Sequence, residues 1–229
     1  MAAEIKILSA GAVKPGLVPA LAAFQRDGGC DVAIDFATAP AIRQRLSGGQ
    51  APDVVIAPPD VLDELGQTGA AVAGRVTLGR IGVGVMVRGG APLPKITSVD
   101  EFIQALLHAD SIVYNQASTG IYLEKLFDRL GVAAQLESKT KRSVDFAAVL
   151  DHVRQSGGNE IGFGATTVII ENAGMGAHFV GPLPAEIQNY TDYAAALTAR
   201  GRAIDGARAL LEYFTTPAAS KILTAAGIA

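Results

Sequence analysis

The sequence predicts an α/β protein of two lobes, each a mostly parallel sheet flanked by helices, with a two-strand hinge joining them. Three observations predict this. Strand and helix patterns alternate three times between Ile5 and Leu65, as βαβ units do. A long β-rich run, Val76 to Val87, then breaks the rhythm and can carry the chain into a second lobe. The alternation restarts at Ser98, and the strand, small-residue turn and helix of Ser111–Leu130 echo those of Ile5–Phe24. On this reading lobe one is residues 1–80 with 182–229, and lobe two is residues 81–181.

Taken in order, Ile5–Leu8 is a short apolar strand, and Ser9–Val13 are small residues that allow a close backbone approach. Pro15 opens a helix, where its missing N–H is harmless, with Leu17, Leu21 and Phe24 on one face. Asp31–Phe36 reads as a strand, Thr38 as the cap of a helix carrying Ile42 and Leu46, and Asp53–Ala57 as a strand buried on both faces. Pro58-Pro59 leads into a helix through Leu65. Gly79, Gly82 and Gly84 lie inside the long β run, and because no helix follows they mark bends, not a dinucleotide fingerprint.

In the second half, Ser98-Val99-Asp100-Glu101 fits a capping box for a helix through Leu107. Ser111–Tyr114 is a strand, Asn115–Gly120 a polar small-residue turn, and Ile121–Leu130 a helix stopped by Gly131. Val144–Val153 is a helix and Glu160–Gly164 a strand. His178–Val180 and Tyr190–Ala199 are β-like, and helices over Ala203–Phe214 and from Pro217 close the chain.

Composition excludes several functions. The chain has 49% hydrophobic and 18% charged residues, enough to bury a full core. Nineteen Lys and Arg against 22 Asp and Glu, with no basic tract longer than Lys139-Thr140-Lys141-Arg142, argue against nucleic acid as a partner. One cysteine, Cys30, leaves no internal disulfide and no cysteine-built zinc site. His108, His152 and His178 lack metal-ligand spacing, so neither a metal nor another cofactor is expected. There is no P-loop, no Gly-x-Ser-x-Gly elbow and no apolar run long enough for membrane insertion. Met1-Ala2-Ala3-Glu4 leads straight into the first strand without a signal peptide. A periplasmic location is expected if a leader has been removed, and a cytoplasmic one otherwise.

The order of these pieces resembles the type II periplasmic solute-binding proteins, in the branch of molybdate-binding proteins that also includes aconitate isomerase-like proteins. The resemblance is carried by Ile7-Leu8-Ser9-Ala10-Gly11-Ala12, Phe36-Ala37-Thr38-Ala39 and Ala51–Ala57, then by Thr119-Gly120-Ile121-Tyr122 and Thr215–Ala219, and it spans essentially the whole chain. It implies a hinged two-lobe fold closing over an anion held by helix N-termini and hydroxyls, with an ABC permease as partner if the protein is exported. A detached sensor domain of a regulator is a further role for the same fold.

The chain departs from that family's pattern in three places. Ala12 stands where a hydroxyl is usual, Ala39-Pro40 follows Thr38 where a serine run is usual, and Phe163 aligns with a tyrosine. Losing two or three charge-assisted hydrogen bonds weakens a tetrahedral oxyanion by about three to six orders of magnitude. A larger organic anion, a carboxylate or polycarboxylate, is therefore the expected ligand. Gly11, Ala12, Val13, Thr38, Ala39, Asn115, Ser118, Thr119, Gly120, Arg142 and Val144 are the candidate ligand-binding residues. If the protein is instead a cofactor-free isomerase of an unsaturated carboxylate, Lys14 or Tyr114 is the candidate proton carrier. Bland alternatives stand beside these: a solvated Lys14, a core Tyr114 and an Arg142 on a solvated face.

Overall fold

A computed structural model describes residues 4–67, 73–201 and 204–229. The strands are β1 (Ile5–Ala10), β2 (Val32–Ala37), β3 (Val54–Ala57), β4 (Ala73–Arg88), β5 (Ser111–Asn115), β6 (Thr140–Ser143), β7 (Glu160–Ala165), β8 (Ala177–Pro182) and β9 (Tyr190–Leu197). The α-helices are α1 (Lys14–Arg26), α2 (Ala39–Ser47), α3 (Pro59–Gln67), α4 (Val99–His108) and α5 (Ser118–Arg129). They continue as α6 (Ala133–Leu136), α7 (Phe146–Gln155), α8 (Thr166–Glu171), α9 (Asp205–Phe214) and α10 (Pro217–Ala225).

Two compact units emerge. Unit 1 is residues 1–81 with 191–229, and unit 2 is residues 82–190. The chain passes from one to the other within β4 and again at the start of β9. The sequence reading places the return at residue 182, but residues 182–190 belong to unit 2. Their side chains explain it: the Gln188 amide accepts from the Val83 amide at 2.9 Å and donates to its carbonyl at 3.0 Å, and the Leu183 amide donates to the same carbonyl.

In unit 1 the strand order is β2-β1-β3-β9 and then β4, with β1 parallel to β2 and β3, and β9 antiparallel to β3. β3 is buried on every residue, as its unbroken Val-Val-Ile-Ala run requires. Asp53, fully buried just before it, accepts from the Lys6 amide and from Arg200 Nε, both at 2.8 Å, which offsets the cost of burying its charge.

In unit 2 the order is β4-β7-β5-β6, with β8 paired to β4. β5 runs parallel to both β6 and β7, and β4 is antiparallel to β7. The core carries four rings, Phe102, Tyr114, Phe127 and Phe163, in edge-on contacts with centroids 6.1–6.4 Å apart. Such pairs stabilise by about 0.5–1.5 kcal/mol beyond their area. The expected capping box at α4 forms, with Ser98 Oγ accepting from the Glu101 amide at 3.2 Å and Glu101 reaching back to the Thr97 amide at 3.0 Å.

Several expected boundaries move. α5 begins at Ser118, not Ile121, and α7 begins at Phe146, not Val144, because the Asp145 carboxylate caps it. β6, α6 and α8 lie where the sequence reading placed no element. Ala203, the expected start of the penultimate helix, lies outside the described residues; the described helix begins at Asp205.

Candidate functional site

Each unit contains the same topological feature. In unit 1, α1 carries the chain from β1 to β2 on one side, and α2 then carries it across to β3 on the other. The turns leaving β1 and β3 therefore diverge, opening a crevice at the strands' carboxyl ends. In unit 2 the same reversal occurs between β5 and β7, flanked by β6. Ligands of open α/β sheets bind at such points.

The turn leaving β1 is Gly11-Ala12-Val13, a single 3₁₀ turn that runs directly into α1. No side chain caps either helical start. The first amides of a helix lack intrahelical acceptors and carry the positive end of its dipole, so this edge favours an anion. A Cβ at Gly11 would meet nothing within 4 Å, which leaves space above the turn. Beside it, Ala10 registers with Ala37 at the end of β2, and Thr38 occupies the cap position of α2. Its side chain makes no cap bond, so the hydroxyl is not consumed by its own helix. Ala39 is buried. Lys14, the first residue of α1, is exposed, with its ammonium 5.9 Å from the centroid of the Phe36 ring.

In unit 2 the turn leaving β5 is shaped by two devices. Asn115 Oδ1 accepts from the Ala117 amide at 3.1 Å, and the Gln116 amide donates to the Ser143 carbonyl at 3.0 Å, tying the turn to β6. Gly120 then brings the first turn of α5 against the strand: a Cβ there would lie 1.8 Å from the Asn115 carbonyl oxygen. With the Ala117 amide held by Asn115 and the Ile121 amide bonded to the Ala117 carbonyl, the amides of Ser118, Thr119 and Gly120 are the orphan donors of α5. No side chain caps this start either. Ser118 and Thr119 are half-buried and stand at the same edge.

The remaining candidates are placed differently. Val144 is 72% exposed and precedes Asp145, whose carboxylate already accepts from the Ala148 amide at 2.9 Å, so its own acid occupies the α7 start. Arg142 registers with Tyr114 across β5 and β6 and is ion-paired to Glu124 at 2.5 Å. Tyr114 is only 1% exposed, with Arg142 and Glu124 beside its hydroxyl. Burial pushes the phenol above its ordinary range, partly opposed by the Arg142 guanidinium. Phe163 is fully buried among the core rings and offers nothing to a ligand.

Sequence reasoning missed Thr166 and Thr167. They follow β7 directly, on the other side of the unit 2 crevice from Ser118 and Thr119, and Thr167 is 2% exposed. Two hydroxyls after the small residues Gly164-Ala165 were the available signal. Among the described residues there is no group of three or more His, Cys, Asp or Glu able to hold a metal, and no helix is long and apolar enough to cross a membrane.

Comparison with known proteins extends these findings. Residues 5–229 match the family described as bacterial extracellular solute-binding protein. An aconitate isomerase from Pseudomonas sp. is 30% identical over 233 residues, covering 98% of this chain and 87% of that protein. The periplasmic molybdate-binding protein of Azotobacter vinelandii superposes with a TM-score of 0.80 at 18% identity, covering 98% of each chain. The sulfate-binding protein SubI of Mycobacterium tuberculosis H37Rv gives 0.76 at 16% identity, over 98% of this chain and 85% of its own. Peb3 of Campylobacter jejuni gives 0.72 at 12% identity, covering 97% and 98%, and a structure of PEB3 with L-phospholactate bound gives 0.74 with the same identity and coverage. At these identities the structures speak for the fold alone.

Proposed function

Because the chain belongs to the bacterial extracellular solute-binding protein family, we propose that it binds a small anion, an organic polycarboxylate in preference to molybdate, through the uncapped helix starts of its two units. The observation that carries this reading is the start of α5, where three orphan amides stand beside the Ser118 and Thr119 hydroxyls. Unit 1 adds the α1 turn, Thr38 and the Lys14 charge, but alanine or proline at most other positions. A tetrahedral oxyanion gathers its charge on one centre and needs donors all round it; a polycarboxylate divides its charge among separate groups, one of which a cation can take. A ligand that prefers one conformation of the chain shifts the population toward it. In this role the protein works outside the cytoplasm and delivers its ligand to an ABC permease.

A thermal-shift series tests the reading. A ligand that binds only the folded chain raises Tm by mass action. Tricarboxylates are expected to raise it, and molybdate much less. Stabilisation by molybdate alone refutes the preference for organic anions.

A second reading is favoured by the likeness to aconitate isomerase over nearly the whole chain. Here the same turns hold an unsaturated carboxylate while a side chain moves a proton between two carbons. Lys14 is the carrier with access to solvent; Tyr114 is buried. Turnover in deuterated water would place deuterium in the substrate, and its absence for every tricarboxylate tried removes this reading.

A further inference from the structure

Resting on the anion-binding reading, we propose that Phe36 is a positioning residue for Lys14: its ring holds the ammonium at the carboxyl edge of unit 1, where it pairs with a carboxylate of the ligand. The geometry begins with the helix. Lys14 is the first residue of α1, and side chains on a helix tilt toward its N-terminus, so the long stem reaches back over the strand ends. Phe36 is the penultimate residue of β2 and registers with Ser9 of β1. The half-buried ring meets the ammonium 5.9 Å from its centroid, within the range of cation–π attraction.

Among the described residues, the ion pairs of unit 1 do not include Lys14. Asp60, which opens α3, is bonded to Arg43 at 2.9 Å, and Arg43 also takes Glu64. Asp35, exposed next to Phe36, lies 3.9 Å from Arg45. Among the described residues no carboxylate is ion-paired with Lys14. The turns leaving β1, β2 and β3 otherwise offer the Thr38 hydroxyl and the apolar Ala12, Val13, Ala39, Pro58 and Pro59. An exposed lysine normally samples many rotamers; the ring narrows that set and leaves the far side of the ammonium open to an incoming carboxylate.

The test is calorimetric titration of citrate, sulfate and molybdate into wild type, Lys14→Met, Phe36→Leu, Phe36→Tyr and the Lys14→Met/Phe36→Leu double variant. Lys14→Met is expected to weaken citrate by about tenfold or more. Phe36→Leu keeps an apolar side chain but removes the ring, and is expected to weaken citrate by about two- to fivefold. Phe36→Tyr restores wild-type affinity. In the Lys14→Met background Phe36→Leu costs nothing further, since its effect acts through the lysine. Equal losses with and without Lys14 mark Phe36 as merely structural and overturn the proposal. Unchanged citrate affinity in Lys14→Met overturns it too, even if Phe36→Leu fails to fold. A wild type that binds none of the three anions removes the anion-binding reading itself.

Discussion

The two units share a topology and differ in chemistry. Both reverse direction beside a central parallel strand, β1 in one and β5 in the other, and both start an uncapped helix directly after it. In unit 1 the turns are lined by Gly11, Ala12, Val13, Ala39 and Pro58, with one hydroxyl, Thr38, and one cation, Lys14. In unit 2 they carry Asn115, Ser118, Thr119, Ser143, Thr166 and Thr167. Backbone amides are thus common to both, while hydroxyls concentrate in unit 2; its charges, Arg142 and Asp145, are taken by Glu124 and by the α7 start, whereas Lys14 of unit 1 is in no ion pair among the described residues. Helices α4, α7 and α10 show that this chain caps starts elsewhere, with Ser98, Asp145 and Thr216. The contrast teaches that topology sets where an anion can sit and side chains set which anion.

The largest effect sharpens the contrast between the turns. Gly120→Ala forces a Cβ against the Asn115 carbonyl oxygen and is expected to destabilise the fold by about 3 kcal/mol, lowering Tm by about 6–12 °C. Gly11→Ala meets open space and stays within about 0.5 kcal/mol of wild type in urea unfolding. Equal losses at both positions break the proposed difference.

Next in size, the Ser118→Ala/Thr119→Ala double variant removes two hydroxyls from unit 2. Each hydrogen bond to a charged ligand contributes about 1.5–3 kcal/mol, so tricarboxylate affinity is expected to fall by about a hundredfold or more. Thr38→Ala removes one hydroxyl from unit 1 and falls short of that. A larger loss at Thr38, read by calorimetry, reverses the assignment of hydroxyl chemistry to unit 2.

Tyr114→Phe is smaller. The hydroxyl lies in the core beside Arg142 and Glu124, so its removal changes stability by about 0.5–1.5 kcal/mol and leaves anion affinity unaltered. Loss of deuterium exchange into a substrate on this substitution would instead make Tyr114 the proton carrier.

The smallest effect is a pH dependence confined to unit 2. Burial, helped by Lys141, lowers the pKa of His152, whose Nε2 lies 3.3 Å from Ser111 Oγ. The folded chain therefore binds this proton less readily than the unfolded chain does. The contribution to stability is fully present above the unfolded value, about 6.5, and is lost as pH falls from there toward the folded value. His152→Gln is expected to flatten this part of the Tm–pH curve; an unchanged slope denies His152 any share in it.

The alternating pattern made the architecture legible, because buried parallel strands such as Val54–Ala57 and amphipathic helices announce themselves by period. β6 escaped because Thr140–Ser143 is a polar edge strand held by its ladder to β5, with no apolar face to display. α8 escaped because Thr166-Thr167-Val168-Ile169-Ile170 is β-branched throughout, and tertiary packing of Val168 and Ile169 overrides that preference. The start of α5 was placed three residues late, since Ser118-Thr119-Gly120 reads as a loop until Gly120 is seen against the Asn115 carbonyl. Arg142 reads as a candidate ligand-binding residue because its ion-pair partner Glu124 lies eighteen positions away and follows no local rule.

The most direct measurement is an amide chemical-shift titration of the ¹⁵N-labelled chain with a tricarboxylate. The account predicts saturable shifts at Ser118, Thr119 and Gly120, joined by Gly11 and Val13, because these amides are the proposed donors. Saturable shifts that leave both sets untouched and appear elsewhere in the chain would contradict it.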